Sequence, residues 1–380
     1  FLQSGNSITA MDFVEDGKFP VYGGNGLRGY TNTYTNEGDY VLIGRQGALC
    51  GNINYAHGKF YASEHAVVVY PKKEEITLWL GETLRTANLN RLSMTAAQPG
   101  LAVSTLNLQF IPFPPKDERI RIAKYLDKKL SEIDHQVSLL TSKRDAYLRL
   151  KKSIINHAVT HGLNPNVKMK DSGIEWIGEV PEHWEMCRFK DAFRRWTTGI
   201  TPDSKNYKYF ESDICKGYTW VTISDFLEKY ISQSNLNLSD ESIKLFMPPL
   251  SLKGSLMFSF KLSVGKIAFA DKDLYTNEAI VSIPPNNGQC LEYYYYMLPN
   301  VLHENATENI YGAKMLNQKI IANMLMVVPP LPEQRAIATY LDDKCAKIDT
   351  IVSNLDKQIS RYADLKRSLI DEVITGKRAV

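Results

Sequence analysis

Two stretches of the sequence combine residue types that could bind a phosphate or a metal. GNGLRG at 24–29 fits the G-x-G-x-x-G pattern that surrounds a dinucleotide pyrophosphate, and it follows a strand-like FPVY. The residues after it, YTNTYTNEGDY, contain no helix whose N-terminus could face a pyrophosphate. PDSK at 202–205 resembles the start of a nuclease metal site but is followed by no E-x-K. We therefore predict a glycine turn at 24–29 and no site at 202–205.

Other catalytic motifs are absent from the sequence. It has no G-x-x-x-x-G-K-[ST] loop for ATP, and none of the Asn/Asp-Pro-Pro-aromatic tetrapeptides that hold adenine in amino-methyltransferases. The five cysteines form no C-x-x-C pair. The sequence thus predicts no catalytic residue, no zinc site, no disulfide framework and no cofactor bound by this chain.

The strongest pattern is a long internal repeat. A shift of 215 positions lays residues 114–160 over 329–375 without a gap, so that PPKDERIRIAKYLD is answered by PPLPEQRAIATYLD. A single repeat of this length indicates a duplicated half rather than an array of short units.

Within each copy, apolar residues recur at every seventh position. They are Leu126, Ile133, Leu140, Tyr147 and Ile154 in the first copy, and Leu341, Ile348, Leu355, Tyr362 and Leu369 in the second. A second seam follows four residues after each, and alternating spacings of four and three are typical of a coiled coil. Each copy predicts one helix of about 40 residues, roughly 60 Å long at 1.5 Å per residue. The alternative is two surface helices that each pack only on their own domain.

Strand patterns precede each long helix. Residues 40–71 and 255–285 alternate β-branched and aromatic residues with glycine turns, and a short helical stretch follows each. We expect the tyrosines of EYYYYML in the second stretch to pack on a sheet rather than on bases. The predicted fold class is mixed α/β (α+β), with two similar domains and two long helices in a pseudo-twofold duplicated layout.

The repeat also sets the expected domain boundaries. They are 1–113 for the first domain, 114–165 for the first helix, 166–328 for the second domain and 329–380 for the second helix. The second half opens with DSGIEWIGEVPEHWEMCRFKD at 171–191, which has no counterpart in the first half. We therefore expect that roughly 25 residues of the first domain lie ahead of Phe1 in the full protein.

Composition narrows the class of protein. The net charge is +3, but residues 111–170 carry 13 Lys/Arg against 6 Asp/Glu, whereas 171–328 carry 15 against 19. No apolar run reaches the roughly 18 residues that a membrane span requires, and we expect no signal peptide. These features predict a cytoplasmic protein of at least two domains.

The duplicated layout resembles the specificity subunit of type I restriction–modification enzymes. The resemblance covers essentially the whole chain and is carried by PPLPEQRAIATYLD, by LKRSLIDEVITGK at the helix end, and by GIEWIGEVPEHWE at 173–185. One departure is KDERI at 116–120, where the family more often has PEQ.

The resemblance implies a function. Family members carry two target-recognition domains that each read one part of a split, asymmetric DNA sequence, and two antiparallel helices that set the distance between them. They hold two methyltransferase subunits, which bind S-adenosylmethionine and methylate adenine. They also hold restriction subunits that use ATP and Mg²⁺ to translocate and cut DNA, and they do no chemistry themselves.

DNA contacts are expected from polar side chains in the glycine-rich loops, because phosphates attract Lys and Arg while Asn, Gln and Arg read base edges. The candidates in the first domain are Asn25, Arg28, Arg45, Gln46, Lys59 and Gln98, and those in the second are Lys205, Asn206, Lys208, Lys261, Lys266, Tyr311 and Lys314. The alternative for each is a solvated loop residue. Two other functions stay open: a coiled-coil adaptor with two protein-binding heads, and a self-sufficient methyltransferase or nuclease.

Overall fold

The structure is a computed structural model. It describes residues 1–47, 49–73, 75–93, 99–211, 213, 216–261, 263–286, 288–308, 312 and 314–380. The chain divides into two compact units: unit 1 contains 1–144 and 354–380, and unit 2 contains 145–353. Each unit therefore holds one mixed domain, part of the first long helix and part of the second.

Unit 1 begins with eight strands and two short helices. They are β1 Leu2–Ser4, β2 Phe19–Gly23, β3 Gly26–Thr31, β4 Asn36–Glu37, β5 Tyr40–Gly44, β6 Ile53–Ala56, β7 Lys59–Ala62, β8 Ala66–Val69, α1 Thr77–Thr86 and α2 Val103–Asn107. The first long helix, α3, spans Lys116–His161. The glycine turn predicted at 24–29 is confirmed for Gly24 and Asn25, which join β2 to β3, whereas residues 26–29 belong to strand β3.

Unit 2 has more elements. They are β9 Met169–Asp171, β10 Glu179–Pro181, β11 Glu185–Arg188, α4 Phe189–Ala192, β12 Thr197–Thr198, β13 Phe210–Glu211, β14 Tyr218–Val221, β15 Tyr230–Ile231, β16 Asn237–Leu238, α5 Asp240–Phe246, β17 Leu256–Ser259, β18 Ile267–Ala270, β19 Tyr275–Thr276, β20 Ile280–Ile283, α6 Leu291–Asn305, β21 Thr307–Glu308, β22 Lys314–Met315, α7 Gln318–Asn323, β23 Leu325–Val328 and α8 Leu331–Ile374.

Each domain contains its own copy of one antiparallel sheet, and the strand order corresponds between the two copies. In unit 1 the strand order is β1-β8-β5-β6, and in unit 2 it is β12-β20-β17-β18-β15. β5 pairs antiparallel with β8, and β17 pairs antiparallel with β20 in the same way. A second four-stranded sheet, β3-β2-β7-β4 in unit 1 and β13-β16-β14-β19 in unit 2, differs between the domains. The repeat therefore extends from the helices into one sheet of each domain.

The sheets pack against apolar helices. Trp79 of α1 and Leu126 of α3 are buried with Ile43 of β5 in unit 1. Tyr293 and Tyr294 of α6 are fully buried in the core of unit 2. The expectation that the tyrosine run packs on the sheet is thus confirmed for these two residues.

The long helices are slightly longer than predicted, at 46 residues for α3 and 44 for α8. Pro114 and Pro115 precede α3, as expected, but α8 begins at Leu331, so Pro332 lies in its first turn. This position tolerates proline because the first helical N–H groups have no acceptor within the helix. Gly162 follows α3 with a φ of +76°, a left-handed conformation that favours glycine at a helix end.

In each unit the two long helices run antiparallel. In unit 1, Lys366 Nζ lies 2.7 Å from Asp134 Oδ1, and Arg144 Nη1 lies 3.5 Å from Asp356 Oδ1. Ten residues forward along α3 thus correspond to ten residues backward along α8. In unit 2, Lys151 Nζ lies 2.6 Å from Asp349 Oδ1.

Burial varies along the predicted seam. Leu126, Ile133, Leu341, Ile348, Leu355 and Leu369 are buried, whereas Leu140, Tyr147, Ile154 and Tyr362 are half-buried.

The same side-chain position attaches each domain to its helix. Arg119 and Gln334 are 215 residues apart and both are buried. The guanidinium of Arg119 donates to the carbonyl of Pro114, and Gln334 Nε2 donates to the carbonyl of Pro329 at 2.8 Å. These bonds satisfy carbonyls at the point where the chain turns into the helix.

Candidate nucleic-acid interface

Three of the candidate DNA-contact residues meet at the β2–β3 turn of unit 1. Asn25 lies at the exposed tip of this turn, and its Oδ1 accepts a hydrogen bond from Asn52 Nδ2 at 3.0 Å. Arg45 and Gln46 follow β5, where the N–H of Arg45 donates to the carbonyl of His65 at 2.8 Å. A Cβ on Gly24 would lie 3.2 Å from the Gln46 carbonyl oxygen, so the turn passes directly over these residues.

Three further polar groups surround the turn. Asn54 Nδ2, Glu64 Oε2 and His65 Nδ1 are inaccessible to solvent and have no hydrogen-bond partner in the described part of the chain. Glu64 Oε1 lies 3.2 Å from His65 Nε2, so the two side chains form one pair. A Cβ on Gly26, which has a φ of +94°, would lie 3.1 Å from Asn54 Oδ1. We call the residues around this turn the turn cluster: Asn25, Arg45, Gln46, Asn52, Asn54, Glu64 and His65.

The remaining first-domain candidates have other neighbours. The guanidinium of Arg28 lies 5.7 Å from the centre of the Phe13 ring. Lys59 Nζ lies 3.8 Å from Glu37 Oε2 and 4.8 Å from the centre of the Tyr34 ring. Gln98 falls outside the described residues. DNA contact by these three residues stays a prediction.

A corresponding corner exists in unit 2. The N–H of Phe260 donates to the carbonyl of Ala279, as Arg45 does to His65, and the N–H of Leu316 donates to the carbonyl of Phe260, as Leu101 does to Arg45. Lys261 therefore occupies the position of Gln46. Both residues are DNA-contact candidates from the sequence, and the structure places them at equivalent positions of the two domains.

The other second-domain candidates are dispersed. Lys205 and Asn206 precede a 3₁₀ turn at Tyr207–Tyr209 that contains Lys208, and the Tyr207 side chain there is 87 % exposed. Asn206 caps this turn by accepting from the N–H of Lys208 at 3.2 Å.

Two lysines are already engaged within the domain. Lys266 Nζ donates to the carbonyl of Ile223 at 3.1 Å, and Lys314 Nζ lies 3.3 Å from His303 Nδ1. Tyr311 lies outside the described residues. The structure shows no DNA, so contacts by all of these residues stay predictions.

The turn cluster contains residues that sequence reasoning missed: Asn52, Asn54, Glu64 and His65. A signal for one of them was present, because ASEHAVVVY and YTNEAIVSI repeat a glutamate at the same place, Glu64 and Glu278. Asn side chains can donate to and accept from base edges, and Glu side chains can accept from them, but base contact by this cluster stays a prediction. A single residue repeated in two domains is a weak signal without the fold that places it beside Gln46 or Lys261.

Sequence reasoning also overlooked one histidine pair. His157 and His161 are four residues apart on α3, and their rings stack with centroids 4.8 Å apart. Burial and the neighbouring His157 lower the pKa of His161. Among the described residues, no group of three or more His, Cys, Asp or Glu could hold a metal ion, so the pair alone is too small for a structural zinc site. Similarly, no described helix is long and apolar enough to cross a membrane.

The folds of the two units define a class: a duplicated α/β protein whose domains are carried by paired antiparallel helices. A family model for the type I restriction modification DNA specificity domain matches residues 2–139 and 181–361. The chain therefore belongs to the type I restriction–modification specificity family.

Two individual proteins that the chain resembles are also named as type I restriction enzyme specificity subunits. The chain is 41 % identical over 131 residues to the EcoprrI specificity subunit of Escherichia coli, which covers 33 % of each protein. It is 24 % identical over 346 residues to a putative specificity subunit of Haemophilus influenzae, covering 89 % of this chain and 82 % of that protein. The E. coli match thus spans about a third of the relative's length.

The fold also matches a solved structure. A chain from a type I restriction–modification system, studied for its complex assembly and conformational transition, aligns with a TM-score of 0.68 and 16 % identity. The alignment covers 90 % of this chain and 83 % of that one. At this identity the match concerns the fold alone.

Proposed function

We propose that this protein is a sequence-specific DNA-binding subunit of a type I restriction–modification complex. The observation that carries the proposal is that the family model matches both domains. The repeated corner supports it, because Gln46 in the first domain and Lys261 in the second are equivalent residues. Each domain reads one half of a bipartite, asymmetric target. The two helices set the length of the spacer between the half-sites.

The chain acts without chemistry of its own. Two methyltransferase subunits dock on the helices and bring S-adenosylmethionine, while restriction subunits bring ATP and Mg²⁺. The cytoplasm, where the DNA lies, is the expected location. Support comes from the sequence, which contains no nucleotide loop and no methyltransferase tetrapeptide.

DNA binding is tested first with the purified chain. The logarithm of its affinity for a duplex that holds the target should fall linearly with the logarithm of salt concentration, because bound lysines and arginines release counterions. Footprinting should show two protected segments separated by an unprotected spacer. An adaptor with two protein-binding heads would show neither result.

The target is found by mapping methylated adenines in the source genome, which gives both half-sites and the spacer. Seven residues inserted into both α3 and α8 should lengthen the spacer, since one heptad adds roughly 10 Å of helix. The chain alone, incubated with DNA and labelled S-adenosylmethionine, should transfer no methyl group. Any turnover would contradict the proposal.

A further inference from the structure

The last turn of α3, in unit 2, carries two histidines on one face. They belong to HAVTH at 157–161, and residues four apart on a helix lie one above the other with their Cβ atoms about 5–6 Å apart. The rings of His157 and His161 stack with an angle of 22° between their planes. His157 is exposed and His161 is half-buried, so solvent reaches the pair. This H-x-x-x-H spacing is the one that lets two imidazoles of a helix bind the same metal ion.

Hydrogen bonding fixes which nitrogen of His161 carries its proton. The Thr160 hydroxyl oxygen lies 2.7 Å from the carbonyl oxygen of Asn156 and 2.7 Å from His161 Nδ1. A carbonyl oxygen has no hydrogen to donate, so the single hydroxyl hydrogen of Thr160 points to Asn156. The hydroxyl oxygen then accepts from His161, which makes Nδ1 the protonated nitrogen and leaves the lone pair of the neutral ring on Nε2. Metal-binding histidines have this arrangement, because the N–H of the other ring nitrogen donates to an oxygen that orients the ring.

The turn that presents the two rings is fixed by the core of unit 2. Val159 and Thr160 are buried. The Tyr293 hydroxyl donates to the carbonyl of Val159 at 3.0 Å, and Asn300 Nδ2 donates to Asn156 Oδ1 at 2.7 Å. A site whose backbone is already held in place loses little conformational entropy when it binds.

Space and charge beside the pair suit a hydrated cation. Two surface cavities, of about 740 and 310 Å³, are both lined by His157 and His161. Cavities of this size admit water, which can fill the coordination positions that two imidazoles leave open. The carboxylate of Glu179 is exposed and close enough to His161 to interact with it electrostatically. A negative charge there attracts a positive ion to the pair.

We propose that His157 and His161 form a binding site for a divalent transition-metal ion of the kind that imidazole prefers, such as Zn²⁺, Ni²⁺ or Cu²⁺. Nε2 of each ring binds the ion, at about 2.0–2.1 Å for Zn²⁺, and water takes the remaining positions. A modest rotation about the side-chain torsions of the stacked rings aims both nitrogens at one point.

This site differs from a structural zinc site. Structural sites are closed by four protein ligands, and the described residues contain no group of three or more His, Cys, Asp or Glu that could hold an ion. A site with two protein ligands exchanges its ion readily. Because the two imidazoles are held together only in the folded helix, the bound ion stabilises the end of α3.

The test uses Zn²⁺ alone, added to the full chain after treatment with EDTA, and it is independent of DNA binding. Zn²⁺ bound to the protein is measured by competition with a chromophoric chelator. His157→Ala and His161→Ala should each remove one equivalent of bound Zn²⁺, since a single imidazole cannot chelate the ion. Thr160→Val should weaken that equivalent by about tenfold, because the oxygen that orients His161 is lost, whereas Thr160→Ser should retain the parent's affinity.

His135→Ala is the matched control. His135 is an exposed histidine of the same helix and has no histidine four residues away, so this variant should bind as many ions as the parent. Every variant is titrated at a temperature where its circular dichroism equals that of the parent, which separates loss of the site from loss of the fold. Zn²⁺ should also raise the melting temperature of the parent and of His135→Ala more than that of His161→Ala.

Nuclear magnetic resonance of the chain labelled with ¹⁵N in histidine observes the ring nitrogens directly. His161 should carry its proton on Nδ1 before Zn²⁺ is added, and Zn²⁺ should shift the Nε2 signals of His157 and His161 together. The proposal is overturned if either histidine variant binds as many ions as the parent. It is also overturned if His161 carries its proton on Nε2, since the lone pair then lies on the wrong nitrogen.

Discussion

The starts of the two long helices perform one task with different chemistry. Arg119 in unit 1 bonds the Pro114 carbonyl, pairs with Glu75 Oε1 at 3.0 Å, and lies 4.0 Å from the centre of the Phe113 ring. Gln334 in unit 2 bonds the Pro329 carbonyl and Gln289 Oε1, each at 2.8 Å, and accepts from the N–H of Cys290. In both units the side chain at this position bonds the carbonyl before the helix. It is a charged arginine where its second partner is the carboxylate of Glu75, and a neutral glutamine where its second partner is the amide of Gln289.

The largest difference between the units is the segment that covers the helix start in unit 2. Trp184 is fully buried and bonded to Glu333, and unit 1 shows no described counterpart. Trp184→Ala should lower the free energy of unfolding of unit 2 by about 3–5 kcal/mol, because it leaves a large cavity. The measurement is denaturant unfolding.

A unit-specific probe separates the two halves. Trp79 is the one tryptophan of unit 1 in the sequence, so its fluorescence should be unaffected by Trp184→Ala. Tyr207→Ala at an 87 % exposed side chain is the control and should change stability by less than about 0.5 kcal/mol. An equal loss in both units would contradict the assignment of Trp184 to unit 2 alone.

The next prediction tests the charged helix start. The side chains of Arg119 and Glu75 are 9 % and 8 % exposed, so Arg119→Ala leaves a buried carboxylate without its cation. We expect unit 1 to lose about 3 kcal/mol of unfolding free energy. The measurement is denaturant unfolding followed through Trp79.

A double variant sharpens this comparison. Arg119→Gln with Glu75→Gln gives unit 1 the neutral amide chemistry of unit 2 and should recover most of the lost stability. If the double variant is as unstable as Arg119→Ala, the charge at this position does more than satisfy Glu75.

A smaller effect is expected where the units are alike. Lys366–Asp134 and Lys151–Asp349 are the same pair built twice, because each lysine and each aspartate is 215 residues from its counterpart. Lysines in seam positions favour one helix register at some cost in stability. Lys366→Ala and Lys151→Ala should each cost at most about 1 kcal/mol, since the pairs are largely exposed.

Double-mutant cycles with Asp134→Ala and Asp349→Ala measure these pairs. The two coupling energies should agree within about 0.5 kcal/mol and decrease as salt is added. If only one of the two Lys–Asp pairs had a measurable coupling energy, the two pairs would not contribute equally to stability.

The smallest effect concerns acid. The pKa of His161 is lowered in the fold by burial and by His157, so the unfolded state binds a proton more readily. Stability from this group is complete above the ordinary value of 6.5 and declines as the pH falls below it. The corresponding positions in unit 1 are Glu372 and Gly376.

The comparison is made with His161→Gln. Between pH 7 and 5, the variant should lose less stability than the parent in unit 2 and the same amount in unit 1, where Trp79 is the probe. Equal pH profiles for parent and variant in unit 2 would contradict the assignment.

The sequence-based predictions agree with the structure where a feature depends on the residues of a single helix or hairpin. The heptads at Leu126 and Leu341, the glycine turn at Gly24 and Asn25, and the buried Tyr293 all follow from local patterns along a single helix or hairpin. The turn cluster could not be read this way, because Gln46, Asn54 and Glu64 come from three segments that only the sheet brings together. Lys266 shows the same limit, since its bond to the Ile223 carbonyl depends on a distant turn.

The sequence by itself determined the duplication, the two long helices and the absence of familiar catalytic motifs, because periodicity and motif spacing are properties of contiguous residues. The heptads alone left the direction of the helices open, since a heptad seam is apolar in either direction; the family resemblance implied an antiparallel pair, and the Lys–Asp pairs of the tertiary structure show it in each unit. The tertiary structure also decided that Met326 and Val327 of β23 are buried while Phe110 and Phe113 are exposed, because burial there depends on the distant strand β11 that pairs with β23.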